Sequence, residues 1–202
     1  MLNKYKQPDV LAALKDMYSD GNGGCFCCYC ETPIVGSFPQ IEHRKPKRGQ
    51  RGHRGFRGFP QLALDWDNLH LACEICNNTK RGKWDADNEI LDAVADVPIS
   101  EHLGYTASSM GVYRKVQVGK PRGKTTVEHV GLNEKWLREA RAQRLMEVWQ
   151  LIDEIKELGD DPAALSKKQM LGDMCRGAYG SMVKYYAKRF CPGWDDECNG
   201  RP

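Results

Sequence analysis

The sequence predicts an α+β protein in which a cysteine-rich region precedes a helical one. In the first half, two Cys-x-x-Cys pairs flank short strand-like runs. In the second half, residues 133–158 carry apolar side chains at helical spacing, which is typical of a long amphipathic helix. We expect two regions, residues 1–88 and residues 89–202.

The composition is that of a soluble globular chain. The 202 residues include 30 Lys+Arg and 27 Asp+Glu, a net charge of +3, and 41% are hydrophobic, which excludes a disordered or fibrous protein. No apolar run reaches the ~18 residues of a membrane helix, and the N-terminus lacks a signal peptide. We therefore expect a cytoplasmic protein with no membrane partner. Nine cysteines in a reducing compartment indicate metal binding or catalysis rather than disulfides.

Short elements are predicted in the first half. Residues 8–18 have helical spacing, with Pro8 suited to the first turn and glycines beyond the end. Residues 34–38 and 40–43 are predicted as brief strands, and residues 73–81 as a short helix.

Longer elements are predicted in the second half, namely a strand at 111–118, a strand running into a turn at 125–133, and helices at 133–158 and 163–190. Asn133 suits the N-cap of the first helix and Gly159 its end. Glycines inside 163–190 weaken the prediction of the second helix.

The two cysteine pairs predict a structural zinc site. Four thiolates at this spacing form a tetrahedral site with ligands about 2.3 Å from the ion. The first pair is ambiguous, because Cys25-x-x-Cys28 and Cys27-x-x-Cys30 have the same spacing. Cys175, Cys191 and Cys198 follow no pattern; they are interpreted as free thiols or, alternatively, as ligands of a second zinc with Cys25 or Cys28.

A basic, glycine-rich segment follows the first pair, at residues 44–59, and is predicted to be a long loop. Its cations bind phosphate without sequence specificity, and Phe56 is a candidate for stacking on an unpaired base. The alternative is a solvated insertion without a ligand. We expect nucleic-acid binding by this loop and by a lysine after the second pair: Arg44, Lys47, Arg48, Arg51, Arg54, Arg57 and Lys80.

The two residues that directly precede this loop have side chains suited to proton transfer and to metal binding. The imidazole of His43 is the natural general base near neutral pH, and Glu42 is a hard oxygen ligand for Mg²⁺ or Mn²⁺. Neighbouring strand residues point to opposite faces, so both serve one site only if the strand ends or bulges there. Pro46 favours such an end.

Together, the strings C-x-Y-C, IEHRKPK and WDNLHLACEICNNTK resemble the zinc-stapled HNH endonucleases. The resemblance implies a ββα-metal fold, in which two short antiparallel strands and a helix surround one catalytic divalent ion. It also favours Cys27, Cys30, Cys73 and Cys76 as the structural zinc ligands.

The resemblance further implies a role for each site residue. His43, Asn68 and Asn77 are the implied catalytic residues, and Glu42 and Asn77 the implied ligands of the Mg²⁺ or Mn²⁺ ion. Asn68 would orient the loop of His43 without touching the ion. The chain departs from the commonest pattern, with Glu42 in place of Asp and Asn77 in place of His. The alternatives are a plain turn residue for Asn68 and a helix cap for Asn77.

A weaker resemblance extends over residues 10–145, where GLNEKWLREAR and the finger motifs are similar to the PtuB-like HNH nucleases of Septu-type and retron-associated anti-phage systems. It implies a nuclease effector acting with an ABC/SMC-like ATPase. The helix at 133–158 would then dock the ATPase or, as we favour, pack on the helix at 163–190. We expect nucleic acid as substrate, DNA in preference to RNA, and leave a homo-oligomer open.

A second hypothesis is a zinc-ribbon module that binds nucleic acid or a partner without cutting. The cysteine pairs fit both hypotheses equally. The combination of Glu42, His43, Asn68 and Asn77 favours the enzyme, because a binding module needs none of them.

Overall fold

The computed structural model describes residues 4–19, 21, 23–35, 39–49, 56–96 and 98–194. The chain divides into two compact units, which we call unit 1 (Met1–Leu103 and Val116–Asn133) and unit 2 (Gly104–Lys115 and Glu134–Pro202). This division differs from the expected one after residue 88. None of the described helices is long and apolar enough to cross a bilayer.

Unit 1 confirms the α+β prediction. Its elements are α1 (Pro8–Met17), β1 (Gln40–His43), β2 (Leu69–Ala72), α2 (Glu74–Lys80) and α3 (Pro121–Val130). β1 and β2 pair antiparallel, with Glu42 opposite His70 and His43 opposite Leu69. All four residues of β2 are buried, so the hairpin forms the centre of the unit.

One predicted strand in unit 1 is wrong. The β-branched run in 125–133 suggested a strand, but α3 covers most of it. Pro121 occupies the first turn, and Gly131 ends the helix at a φ of 74°. The hydroxyl of Thr126 donates to the carbonyl of Arg122 at 2.8 Å, which satisfies it inside the helix.

The strand predicted at 34–38 is also not observed over its described part. Residues 34 and 35 belong to no strand, and 36–38 lie outside the described residues. The extended chain there makes one isolated bridge, between Phe26 and Pro33.

Unit 2 is mainly helical. It contains α4 (Lys135–Leu158), α5 (Ala163–Cys175) and α6 (Gly180–Phe190), and a sheet of β3 (Leu103–Ser108) and β4 (Gly111–Val116) belongs largely to it. The sequence pattern did not predict β3. The three helices pack on one another, and the apolar stripe of α4 is buried at Leu137, Leu145, Val148, Leu151, Ile152 and Ile155.

The observed helices of unit 2 differ in their bounds from the two helices that the sequence predicts. α4 ends at Gly159 as predicted, but Glu134, not Asn133, is its N-cap residue. The single helix predicted at 163–190 is two helices. Tyr179 adopts a left-handed φ of 56°, and a Cβ on Gly180 would lie 2.1 Å from the carbonyl oxygen of Cys175. Only glycine permits this close approach.

Candidate active site and zinc centre

Four cysteines of unit 1 form a cluster suited to zinc. The sulfur atoms of Cys27, Cys30, Cys73 and Cys76 all lie within 4.8 Å of one another, and those of Cys30 and Cys73 are 3.9 Å apart. Ligands about 2.3 Å from a tetrahedral zinc lie about 3.8 Å apart, so the donor set fits that ion.

Backbone hydrogen bonds hold the chain around this cluster in place. A turn follows Cys27, whose carbonyl accepts from the amide of Glu31 at 2.9 Å. The amide of Cys28 donates to the carbonyl of Leu71 at 2.8 Å, which ties the turn to β2. Burial raises the pKa of the Cys27 thiol well above its usual range. A bound cation would therefore be needed to hold this thiol as a thiolate.

The cluster resolves the ambiguity of the first pair. Cys25 and Cys28 are not members of it, in agreement with the choice of Cys27 and Cys30. No other group of three or more Cys, His, Asp or Glu ligands occurs among the described residues, and Cys175 and Cys191 join none. Cys198 lies outside the described part.

Glu42, His43 and Asn77 line one cavity of about 560 Å³. β1 ends at His43. Glu42 and His43 can therefore serve one site, as expected for neighbouring residues only where a strand ends or bulges. Asn77 enters from the first turns of α2. Its backbone carbonyl accepts from the amide of Arg81 at 2.9 Å, an ordinary helical bond that leaves the side chain available.

The imidazole of His43 is held in one tautomer. Its Nε2 lies 3.1 Å from the carbonyl oxygen of Ala63, which can only accept, so Nε2 carries the proton and Nδ1 has the lone pair. Burial lowers the pKa of His43 to about 4, with Lys47 and Lys80 acting in the same direction. The ring is therefore neutral at pH 7.

The carboxylate of Glu42 is buried beside a lysine. It is 3% exposed, and its Oε1 accepts from Lys80 Nζ at 2.5 Å and from the Tyr29 hydroxyl at 3.3 Å. Burial raises the pKa of Glu42, and Lys80 opposes that shift. Both contacts fall on one carboxylate oxygen.

Lys80 is an internal cation. It is 0% exposed, and besides Glu42 it donates to the backbone carbonyl of His43 at 2.8 Å. This burial contradicts the prediction that Lys80 binds nucleic acid, because the ammonium cannot reach a phosphate. Lys80 follows Cys76 by four residues, so both lie on the same face of α2. The pairing of Lys80 with Glu42 depends on the tertiary structure.

Asn68 holds the chain that follows His43. Its Oδ1 accepts from the amide of Lys45 at 2.7 Å, while its Nδ2 donates to the carbonyls of Lys45 and Leu62 at 3.0 and 3.1 Å. The Asn68 carbonyl also accepts from the amide of Arg44 at 3.1 Å. Asn68 is not among the cavity-lining residues. Its contacts are more than those of a plain turn residue.

Acidic side chains neutralise the first cations of the basic loop. Arg44 pairs with Glu89 at 2.9 Å and with Asp92 at 3.1 Å, and Lys45 pairs with Glu89 at 3.0 Å. The Arg44 side chain is only 14% exposed. These ion pairs contradict the prediction of Arg44 as a nucleic-acid contact, because its guanidinium faces internal carboxylates.

Other cations of the loop remain available. Lys47 and Arg48 line the cavity, as does Arg81, and Arg57 is exposed. Arg51 and Arg54 lie outside the described residues. A rim of cations thus borders the cavity that contains Glu42 and His43.

The two parts of the loop that the structure describes, residues 44–49 and 56–59, are joined by a backbone hydrogen bond. The amide of Phe59 donates to the carbonyl of Pro46 at 2.8 Å. Phe56 stacks on Trp84 and packs edge-on against Phe59. Phe56 therefore has partners within the protein, in contrast to the prediction that it stacks on a base.

The N-terminal segment contributes two cavity residues that have no counterpart in the sequence prediction. Tyr5 and Lys6, from a 3₁₀ turn at Lys4–Lys6, line the same cavity. No local pattern marks them, and Tyr5 contacts His43 and Lys47 across more than thirty intervening residues.

Comparison with known proteins identifies the same segment. The family described as HNH endonuclease matches residues 27–83. A relative named Septu protein PtuB, from Bacillus thuringiensis, is 29% identical over 130 residues, which are 63% of this chain. The chain spans about two fifths of that relative, 42% of its length. No solved structure matches the chain.

Proposed function

We propose that this chain, whose residues 27–83 match the HNH endonuclease family, hydrolyses phosphodiester bonds of nucleic acid at the cavity lined by Glu42, His43 and Asn77. One observation carries the proposal. A neutral histidine presents Nδ1 as an acceptor next to a buried carboxylate, in a cavity with a cationic rim.

The donor set of the cavity fits a hard divalent cation. Glu42 offers a carboxylate oxygen beyond the one paired with Lys80, and Asn77 offers an amide oxygen. Mg²⁺ and Mn²⁺ are held in this way, by few protein ligands and several waters. When bound, such an ion supplies Lewis-acid stabilisation of charge on the phosphate oxygens.

The protein side chains have separate roles in this proposal. His43 accepts a proton from the attacking water at Nδ1, and the carbonyl of Ala63 keeps the ring in the required tautomer. Asn68 orients His43 through the backbone of Arg44 and Lys45. Lys47, Arg48 and Arg81 bind the flanking phosphates, which fixes the position of the strand without reading its sequence.

The wider role that we propose is that of the nuclease effector in an anti-phage defence system, with an ABC/SMC-like ATPase as partner and DNA preferred over RNA. The similarity to the Septu protein PtuB supports this role. The apolar stripe of α4 is not the docking surface in this proposal, since it is buried within unit 2.

A non-catalytic zinc module that binds nucleic acid is the second candidate. One observation favours it: Lys80 already neutralises the carboxylate that would bind the ion. The tautomer of His43 and the hydrogen bonds of Asn68 have no purpose in such a module, so we prefer the enzyme.

The test compares wild type with His43→Ala on plasmid, single-stranded DNA and RNA, with Mg²⁺ or Mn²⁺ added. We expect His43→Ala to lose cleavage while zinc content and circular dichroism stay unchanged. His129→Ala is the matched control, because His129 belongs to unit 1 but does not line the cavity. Binding without cleavage by wild type in every condition would instead support the zinc module.

A further inference from the structure

The N-terminal turn reaches the active-site cavity from outside the HNH segment. The family match begins at residue 27, whereas Tyr5 and Lys6 line the cavity with Glu42 and His43. Tyr5 is 8% exposed, so its ring is packed against the protein and is not a surface aromatic.

Tyr5 packs directly on the imidazole of His43. The two ring centroids are 4.7 Å apart and the ring planes meet at 85°. Such edge-to-face pairs are attractive beyond the area that they bury. The imidazole therefore has two restraints of different kinds, the ring of Tyr5 and the hydrogen bond to Ala63.

Tyr5 also holds a cation of the cavity rim. The ammonium of Lys47 donates to the Tyr5 hydroxyl and lies 4.0 Å from the centroid of the same ring. A lysine has several rotatable bonds, and these two contacts select one position for its charge. A single tyrosine thus contacts both the proposed base and a proposed phosphate ligand.

We infer that Tyr5 is a positioning residue, which holds the imidazole of His43 and the ammonium of Lys47 in one fixed arrangement. The N-terminal turn is then part of the active site. This inference rests on the proposed function. Tyr5 acts through its two neighbours, and no contact with substrate is assigned to it.

The two contacts are separable by substitution. Tyr5→Phe keeps the ring on His43 and removes the hydroxyl that binds Lys47, so KM should rise by about threefold to tenfold while kcat changes less than about twofold. Tyr5→Ala removes both contacts, so kcat should fall by about tenfold or more, since small errors in the position of a base are costly. If kcat is near that of wild type in Tyr5→Phe but low in Tyr5→Ala, the ring of Tyr5 acts by positioning His43.

Tyr18→Phe is the matched control. Tyr18 is a tyrosine of unit 1 whose hydroxyl bonds to His70 Nδ1 at 2.6 Å, and it does not line the cavity. We expect its kcat and KM to equal those of wild type. Equal kcat for Tyr5→Ala and wild type would overturn the inference, as would equal losses of kcat in Tyr5→Ala and Tyr18→Phe.

A second measurement does not depend on nuclease activity. Diethylpyrocarbonate labelling of His43, followed by peptide mass spectrometry without added Mg²⁺ or Mn²⁺, should be several-fold faster in Tyr5→Ala than in wild type. Labelling of the buried His70 should not change. An unchanged rate at His43 overturns the inference. Faster labelling together with no cleavage by wild type overturns the proposed function, and the catalytic role of Tyr5 with it.

Discussion

Unit 1 and unit 2 are stabilised by different means. The centre of unit 1 contains buried polar side chains, namely Glu42, His43, Asn68, His70 and Lys80, around a two-stranded sheet. The core of unit 2 is mainly apolar, with Leu145, Val148, Ile152, Met182 and Val183 buried between helices. Its buried charged side chains, among the described residues, are Arg114 and Arg141. A two-stranded sheet is marginal by itself, so unit 1 depends on specific contacts, whereas unit 2 depends on apolar area.

This difference explains where the chemistry lies. Buried polar groups are costly unless each is paired, and they persist where a site requires them. In unit 1 the pairings of Glu42, His43, Asn68 and Lys80 involve β1 or the residues that follow it, whereas His70 bonds to the hydroxyl of Tyr18. Zinc removal and substitutions in each unit test whether the two units differ in this way.

Zinc removal should have the largest effect. Structural zinc contributes on the order of 10 kcal/mol to the folding of small zinc domains. Chelation, or Cys76→Ser, should therefore abolish hydrogen-exchange protection in residues 27–83 while α4 of unit 2 stays protected. Mass spectrometry of exchanged peptides measures both at once. Cys28→Ser is the control, because Cys28 lies outside the cluster. Simultaneous loss of protection in α4 would contradict independent stabilisation of the units.

Lys80→Met should have the next largest effect. It leaves the carboxylate of Glu42 buried without its cation, and removing one partner of a buried ion pair costs about 3–5 kcal/mol. Urea unfolding of the zinc-loaded protein measures the loss. Lys83→Met should cost about 1 kcal/mol or less, because half-buried Lys83 donates to the carbonyl of His129, which is a neutral acceptor and not a buried carboxylate.

A double variant sharpens the test of this pair. Glu42→Gln combined with Lys80→Met removes both charges, so it should be more stable than Lys80→Met alone. If the double variant were as unstable as Lys80→Met, the charge of Glu42 would not be the cause.

Ile152→Ala tests the apolar core of unit 2. Ile152 is 0% exposed, and truncation of a buried isoleucine to alanine costs about 2–5 kcal/mol. Zinc content and exchange in residues 27–83 should not change. Met146→Ala on the same helix should be neutral within about 0.5 kcal/mol, because Met146 is 68% exposed. A loss of zinc in Ile152→Ala would mean that the units are coupled.

The smallest expected effect concerns Asp96, which pairs with Arg122 at 2.5 Å. Burial raises the pKa of Asp96, but the hydrogen bonds from Arg122 outweigh it and hold the pKa below its usual value. The pair therefore stabilises unit 1 fully above the unfolded pKa near 3.9, and this is lost as the pH falls through the folded pKa.

The measurement is the difference in unfolding free energy between wild type and Asp96→Asn at pH 7 and at pH 3. The difference should be about 1 kcal/mol or less at pH 7, since the pair is partly exposed, and smaller at pH 3. The exposed Asp87→Asn serves as control. A difference that grows towards low pH would have the wrong sign for this pair.

Several features were predictable because they depend on short spacings. The bounds of α1 and α2 follow from capping and periodicity, and the stripe of α4 from its apolar repeat. The strand predicted in 125–133 failed, because β-branched propensity is weaker than a proline start with a glycine end. The break between α5 and α6 needed the close approach of Gly180 to Cys175, which no spacing reveals.

The sequence by itself determined the spacing of the cysteine pairs, the adjacent Glu42 and His43, and the presence of many cations near them. The structure selected Cys27 and Cys30 over Cys25 and Cys28. Only the tertiary structure decided which cations face the cavity. Arg44 turns to Glu89 and Asp92, Lys80 is buried on Glu42, and Lys47 meets Tyr5. The physical reason is that an ion pair or a hydrogen bond depends on the distance between two side chains in space. The partners are about 35–50 residues apart in the sequence in all four pairs.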